Sequence, residues 1–200
     1  MVRVDSENVS GADNQQERPL NPWYVTGFVE AEGCFSVGVR PHPNVMTPTR
    51  WMMQPVFQAY QHKDGIGILK ALQSFFGCGT LVPKGPNSNV ITFSVHGLER
   101  LSTQVIPHFQ DYPLQTYKAS DYLKFREIVL RMRNDEHRTH EGLVRLARIA
   151  FTMNPHGKNR KYTLQQVESG ILRGHTPDTR WQAREEMVRS AWRHAANTNA

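Results

Sequence analysis

Residues 21–41, NPWYVTGFVEAEGCFSVGVRP, change from helical to strand periodicity without a connecting loop, and this constrains the fold more than any other stretch of the chain. Pro22 suits the first turn of a helix, Trp23, Tyr24, Val25, Phe28 and Val29 recur at helical spacing, and Gly33 ends the run. Immediately afterwards Phe35, Val37 and Val39 alternate with Ser36, Gly38 and Arg40, the period of a strand with one buried face. The reading is a short helix that passes straight into a strand.

The same grammar continues downstream. PHPNVMTPTR carries three prolines and reads as a long hairpin connection, after which WMMQPVFQAYQ alternates again, with Phe57 and Ala59 set against Gln58 and Tyr60. DGIGILKALQSFFG is helical in period and stops at Gly77, while GTLVPK and NVITFSV flank a turn at Gly85 to Ser88. Helices are expected in GLERLSTQVIPHF, in YKASDYLKFREIVLRMRND and in HEGLVRLARIAFTMN, where Leu143, Leu146, Ala147 and Ala150 form one apolar stripe. The order αββαββα followed by further helices describes an α+β fold: one four-stranded antiparallel sheet with helices on one face and the other face free. With 200 residues the chain can bury one good core. A polar leader is expected over residues 1–20, the main domain over 21–155 and a basic, helical C-terminal extension over 156–200.

The free face carries the partner signal. Its expected outward residues are Ser36, Gly38, Arg40, Gln54, Gln58, Tyr60, Lys84, Asn89 and Ile91, rich in amide and basic groups suited to reading base edges and lacking carboxylates. His42, Asn44, Arg50, His62 and Lys63 flank it as further candidates for DNA contact. The formal net charge of +6 points to an anionic partner, and 17 of the 24 basic residues are arginine, which suits planar contacts to phosphate and guanine. No apolar run approaches the ~18 residues that a membrane span needs. The N-terminus has no apolar core of a secretory signal, so an intracellular protein is expected, in a prokaryotic cytoplasm or an organelle. Cys34 and Cys78 have neither zinc-site spacing nor a disulfide framework around them.

Val25-Thr26-Gly27-Phe28-Val29-Glu30-Ala31-Glu32-Gly33, followed by a strand, resembles the LAGLIDADG motif of homing endonucleases. FGCGTLVPK and YPLQTYKASDYLKF extend the resemblance over residues 23–154. Gly27 and Ala31 lie one turn apart, which lets two helix backbones approach closely. Glu32 falls in the last helical turn, where the helix dipole disfavours a carboxylate and a bound cation would relieve the cost. Only one copy of the motif is found, so the resemblance implies a homodimer with Trp23, Thr26, Gly27, Glu30 and Ala31 at its helix seam. It further implies that Glu32 and the backbone carbonyl of Ala31 bind a metal, that Gln61 orders water near the scissile phosphate, and that Lys118 is the basic member of the site. Oxygen donors suit Mg²⁺, with Mn²⁺ able to substitute and Ca²⁺ expected to bind without turnover.

The implied activity is a metal-dependent double-strand cut in a long, nearly palindromic DNA site, by a protein of the intron-encoded kind. The rival reading is a non-cleaving relative, either an RNA maturase or a DNA-binding module. Retention of Glu32 argues for cleavage, because a surface that only binds a polyanion has no need of a carboxylate there. None of the seven lysines has an acid two residues before it, so the acid-x-Lys pair of restriction-type nucleases is absent. His137 and His140 sit beside Glu136 and Arg138 and read as a solvated helix start rather than a metal pair.

Overall fold

The computed structural model describes residues 20–43, 47, 49–155, 160–173 and 186–187. Asn44, the leader up to residue 19 and most of residues 174–200 lie outside the described residues. The order of elements is α1 (Pro22–Glu32), β1 (Gly33–Pro41), β2 (Trp51–His62), α2 (Ile66–Phe76), β3 (Thr80–Pro83) and β4 (Val90–His96). A helical stretch follows as α3 (Leu98–Arg100), a π-helical turn over Leu101–Val105 and α4 (Ile106–Asp111). Then come α5 (Lys118–Arg133), α6 (His140–Phe151) and α7 (Leu164–Arg173).

The change from helix to strand is held by side-chain and backbone capping. The Asn21 side chain accepts from the Trp23 N–H at 2.9 Å and opens α1. At its other end a Cβ on Gly33 would lie 2.5 Å from Val29 Cγ1 and 2.7 Å from the Val29 carbonyl oxygen, so a residue without a side chain is required where the chain turns into β1.

The four strands form one antiparallel sheet in the order β1-β2-β4-β3. Gly33 pairs with Ala59 and Pro41 with Trp51, so the long hairpin β1–β2 is in register along its whole length. The buried side of the sheet carries Phe35, Val37, Met53, Phe57, Ala59, Phe93 and Val95. Phe35 is the hub of this layer: it stacks on Phe57 at 5.1 Å between ring centroids and meets Phe109, Tyr122 and Phe125 of the covering helices at 5.2–5.3 Å. The core continues through Leu143, Leu146, Ala147 and Ala150 of α6 to Val167 and Ile171 of α7, while Trp51 meets Tyr162 edge to face. No helix among the described residues is long and apolar enough to cross a membrane.

One expectation for the free face is overturned. Ile91 pairs with Gln61, and it shares the parity of Phe93 and Val95, so it points to the helices and packs against the core. Strict alternation in β4 instead turns Thr92 and Ser94 to the free face, opposite Tyr60 and Gln58. The period-two signal in VITFSVH could have found both: counting outward from Phe93 gives this parity.

Candidate active site

The C-terminal end of α1 gathers the polar groups. Ala31 and Glu32 are exposed there, and the Glu32 carboxylate makes no hydrogen bond or ion pair among the described residues. Lys118, first residue of α5, reaches across and donates from Nζ to the carbonyl oxygens of Val29 at 2.9 Å and Ala31 at 3.3 Å. It thus adds a second donor to the Val29 carbonyl, which already accepts from the Gly33 N–H, and answers the Ala31 carbonyl at the helix end, where its charge complements the dipole. Burial pushes the Lys118 ammonium pKa below the usual lysine range, against the opposing pull of Cys34, Glu30 and Glu32. Gln61 stands two positions beyond Ala59, the partner of Gly33, and so lies one residue before the end of β2, on the side of the end of α1. Its amide oxygen accepts from the His62 N–H at 2.8 Å. Gly65 leaves room for it, since a Cβ there would come within 2.9 Å of Gln61 Cγ.

The residues expected at a helix seam divide into two groups. Trp23, Gly27 and Ala31 lie exposed on one stripe of α1, joined by Tyr24, with Trp23 half-exposed at 50% and Tyr24 at 55%. Thr26 does not belong with them: it is buried, donates to the Tyr112 carbonyl at 2.9 Å and lies 3.2 Å from His108 Nε2. It faces the protomer's own core because it is one residue, about a hundred degrees, round the helix from Gly27. The Glu30 carboxylate is also committed within the chain. It accepts from the N–H groups of Gln115 and Thr116 and from the Thr116 hydroxyl. Burial opposes its ionisation, yet these hydrogen bonds outweigh that and hold its pKa below the usual carboxylate range.

His108 packs among Phe75, Phe76, Phe109 and Tyr112, and burial pushes its pKa from 6.5 down to about 4 against a weaker upward pull from Asp111. Between those two values the unfolded chain binds a proton that the folded chain does not, so stability falls as pH falls through this window. The expected loss is at most about 3 kcal/mol by pH 4. Urea unfolding from pH 7 to 4 measures it, and His108→Asn should flatten the profile; a slope unchanged by the substitution would assign the acid sensitivity elsewhere.

On the free face the Tyr60 hydroxyl donates to Gln58 Oε1 at 2.9 Å and Gln58 Nε2 donates to Ser94 Oγ at 3.1 Å. Arg40 donates to Gln54 Oε1 at 3.2 Å, and Lys84 Nζ lies 4.8 Å over the Tyr60 ring. Ser36 and Gly38 share this face with them. His42 and Arg50 meet at the outer end of the first hairpin, where the His42 N–H donates to the Arg50 carbonyl at 2.8 Å. Lys63 and Asn89 meet at the opposite end at 2.7 Å, beside His62, whose Nδ1 lies 3.1 Å from Asp64. A cleft of about 1180 Å³ runs along β1, between Ser36, Gly38 and Arg40 on one side and Lys124, Asn154 and Arg160 on the other. Sequence reasoning did not single out these last three. Lys124 and Arg160 donate to carbonyls at the end of α6, and Asn154 donates to the Phe35 carbonyl at the sheet edge, contacts between distant segments that leave no local pattern.

Residues 25–129 match the family profile described as LAGLIDADG endonuclease, more than half of the chain. The chain belongs to this family. It is 36% identical to the homing endonuclease I-TnaI, with a TM-score of 0.69 over 77% of this chain and 99% of that one. It is 31% identical to I-SmaMI, whose structure holds an uncleaved DNA target in the presence of calcium ions, with a TM-score of 0.66 over 80% of this chain and 51% of that one. A probable intron-encoded endonuclease 3 of Neurospora crassa is 31% identical over 135 residues, 68% of this chain. The chain spans only 25% of that protein's length. The family's αββαββα fold with its four-stranded sheet is what the structure contains.

Proposed function

We propose that this LAGLIDADG chain is a homing endonuclease that acts as a homodimer and makes a metal-dependent double-strand cut in a long, nearly palindromic DNA site. The observation that carries the reading is the meeting of two distant segments at the end of α1: exposed Glu32 and the Ala31 carbonyl from α1, and the Lys118 ammonium from α5. An exposed small-residue stripe lies on the same helix. The match to nearly all of I-TnaI but half of I-SmaMI supports a chain that supplies one unit and completes its site with a second copy.

No cluster of three or more His, Cys, Asp or Glu side chains suited to a metal occurs among the described residues. The donors at hand are hard oxygens, an exposed carboxylate and a carbonyl that Lys118 Nζ meets at 3.3 Å, and their chemistry would suit Mg²⁺. Glu32 and Ala31 would hold it, Mn²⁺ would substitute, and Ca²⁺ would bind without turnover. Bound there, it would supply Lewis-acid stabilisation of charge on the phosphate and its leaving oxygen. Lys118 places a positive charge beside the phosphate at the end of α1, and Gln61 orients water through its amide, which is no base at neutral pH. The free face from Ser36 to Tyr60 offers amide, hydroxyl and guanidinium groups to base edges in the major groove.

A randomised duplex library, incubated with Mg²⁺, with Ca²⁺ and with chelator, tests the reading. Specific double-strand cuts in Mg²⁺ alone are expected. Selective retention of DNA without cuts would favour the non-cleaving reading, a DNA-binding module or a maturase.

A further inference from the structure

We propose that Glu30 and Thr116 are positioning residues for Lys118, acting through hydrogen bonds on the backbone of the loop that leads into α5. The inference rests on the reading of Lys118 as a member of the cleavage site. Glu30 is the first acid of the motif, and it takes no part in the donor set at the end of α1. One oxygen of its carboxylate accepts from two successive N–H groups, those of Gln115 and Thr116, and the other accepts from the Thr116 hydroxyl. The same hydroxyl oxygen accepts from the Lys118 N–H at 3.3 Å, and the Thr116 carbonyl accepts from Ala119 at 3.0 Å to open α5. Lys118 then turns back and grips the carbonyls of Val29 and Ala31, the two neighbours of Glu30 in sequence.

The result is a closed ring between the last turn of α1 and the first turn of α5. Residue 30 holds the loop, and the loop's lysine holds residues 29 and 31. Such a ring has a physical use, because a lysine stem carries about 2 kcal/mol of rotamer freedom and its ammonium is a poor placer of charge unless its backbone is fixed. Gln115, Thr116 and Tyr117 are all exposed, so packing does not fix this loop, and only Leu114 is buried among its neighbours. Glu30 makes no ion pair with Lys118 among the described contacts. Beside its electrostatic pull on the ammonium, Glu30 acts on the placement of Lys118 through Thr116.

Thr116→Val keeps the shape of the side chain and removes both of its hydroxyl hydrogen bonds. In single-turnover cleavage the expected result is a rate about 10- to 100-fold lower, with DNA affinity in Ca²⁺ and the unfolding midpoint close to wild type. Thr116→Ser restores the hydroxyl and should recover most of the rate. In a Lys118→Met background, Thr116→Val should cost almost nothing further, since the two act as a unit. An undiminished rate in Thr116→Val, or the same fractional loss with Lys118 absent, overturns the proposal. A readout that needs no cleavage is the acylation rate of Lys118 in the full chain, followed by peptide mass. It should rise several-fold in Thr116→Val, and an unchanged rate overturns the proposal even if wild type does not cut DNA. A wild type that does not cut would refute the endonuclease reading, while the acylation result would still decide whether Thr116 positions the lysine.

Discussion

Glu32→Gln is expected to abolish cutting, with a loss of about a thousandfold or more in the rate of the chemical step, while DNA affinity changes little. The amide has the size of the carboxylate and removes only the negative charge. Glu32 is exposed and makes no hydrogen bond or ion pair among the described residues, so the substitution breaks no such contact there. Its role would lie wholly in charge offered to a cation between protein and phosphate. Binding in Ca²⁺ and cleavage in Mg²⁺, measured on the same preparation, separate the two effects. A variant that binds tenfold more weakly and still cuts would assign Glu32 to DNA contact and remove it from the reaction.

Gly27→Leu is expected to convert a dimer to monomers and to abolish double-strand cutting with it. A Cβ at Gly27 meets nothing within 4 Å inside the protomer, and the residue is exposed on α1 between Trp23 and Ala31. Leucine can therefore enter without disturbing the chain's own fold, and it is a better helix former than glycine. Any damage must come from overpacking a seam between two copies, where ~1–3 kcal/mol weakens association roughly 5- to 150-fold. Sedimentation velocity reads the mass, and thermal unfolding checks that the protomer is intact. A stable, active dimer of Gly27→Leu would place the interface on another surface.

Most elements of this fold were legible because local pattern and tertiary role agree. The run from Pro22 to Pro41 reads as helix then strand, and it forms both with the expected boundaries, since Asn21 caps the start and Gly33 permits the turn. The alternation in β1 and β2 sorted Phe35, Val37, Phe57 and Ala59 inward without error. β4 was harder: VITFSVH mixes apolar and hydroxyl residues, and Ile91 was expected on the free face although it packs toward the helices. The same limit applies to α1. Thr26 and Gly27 are both small and look alike as seam residues, yet a single step round the helix separates a buried hydrogen-bonding threonine from an open glycine.

The chain's own periodicity, its glycine and proline stops and its acid-Ala-acid-Gly ending determine the order αββαββα, the family and the acid at the end of α1, because each depends on residues close in sequence. Tertiary structure alone decides what those residues do for one another. That Lys118 turns back onto Val29 and Ala31, that Glu30 holds the loop at Thr116, and that Asn154 crosses to Phe35 are pairings over 86 to 119 residues of chain. Such pairings leave no periodic trace in the sequence, because they are set by how the helices pack on the sheet and not by the spacing of neighbours along it.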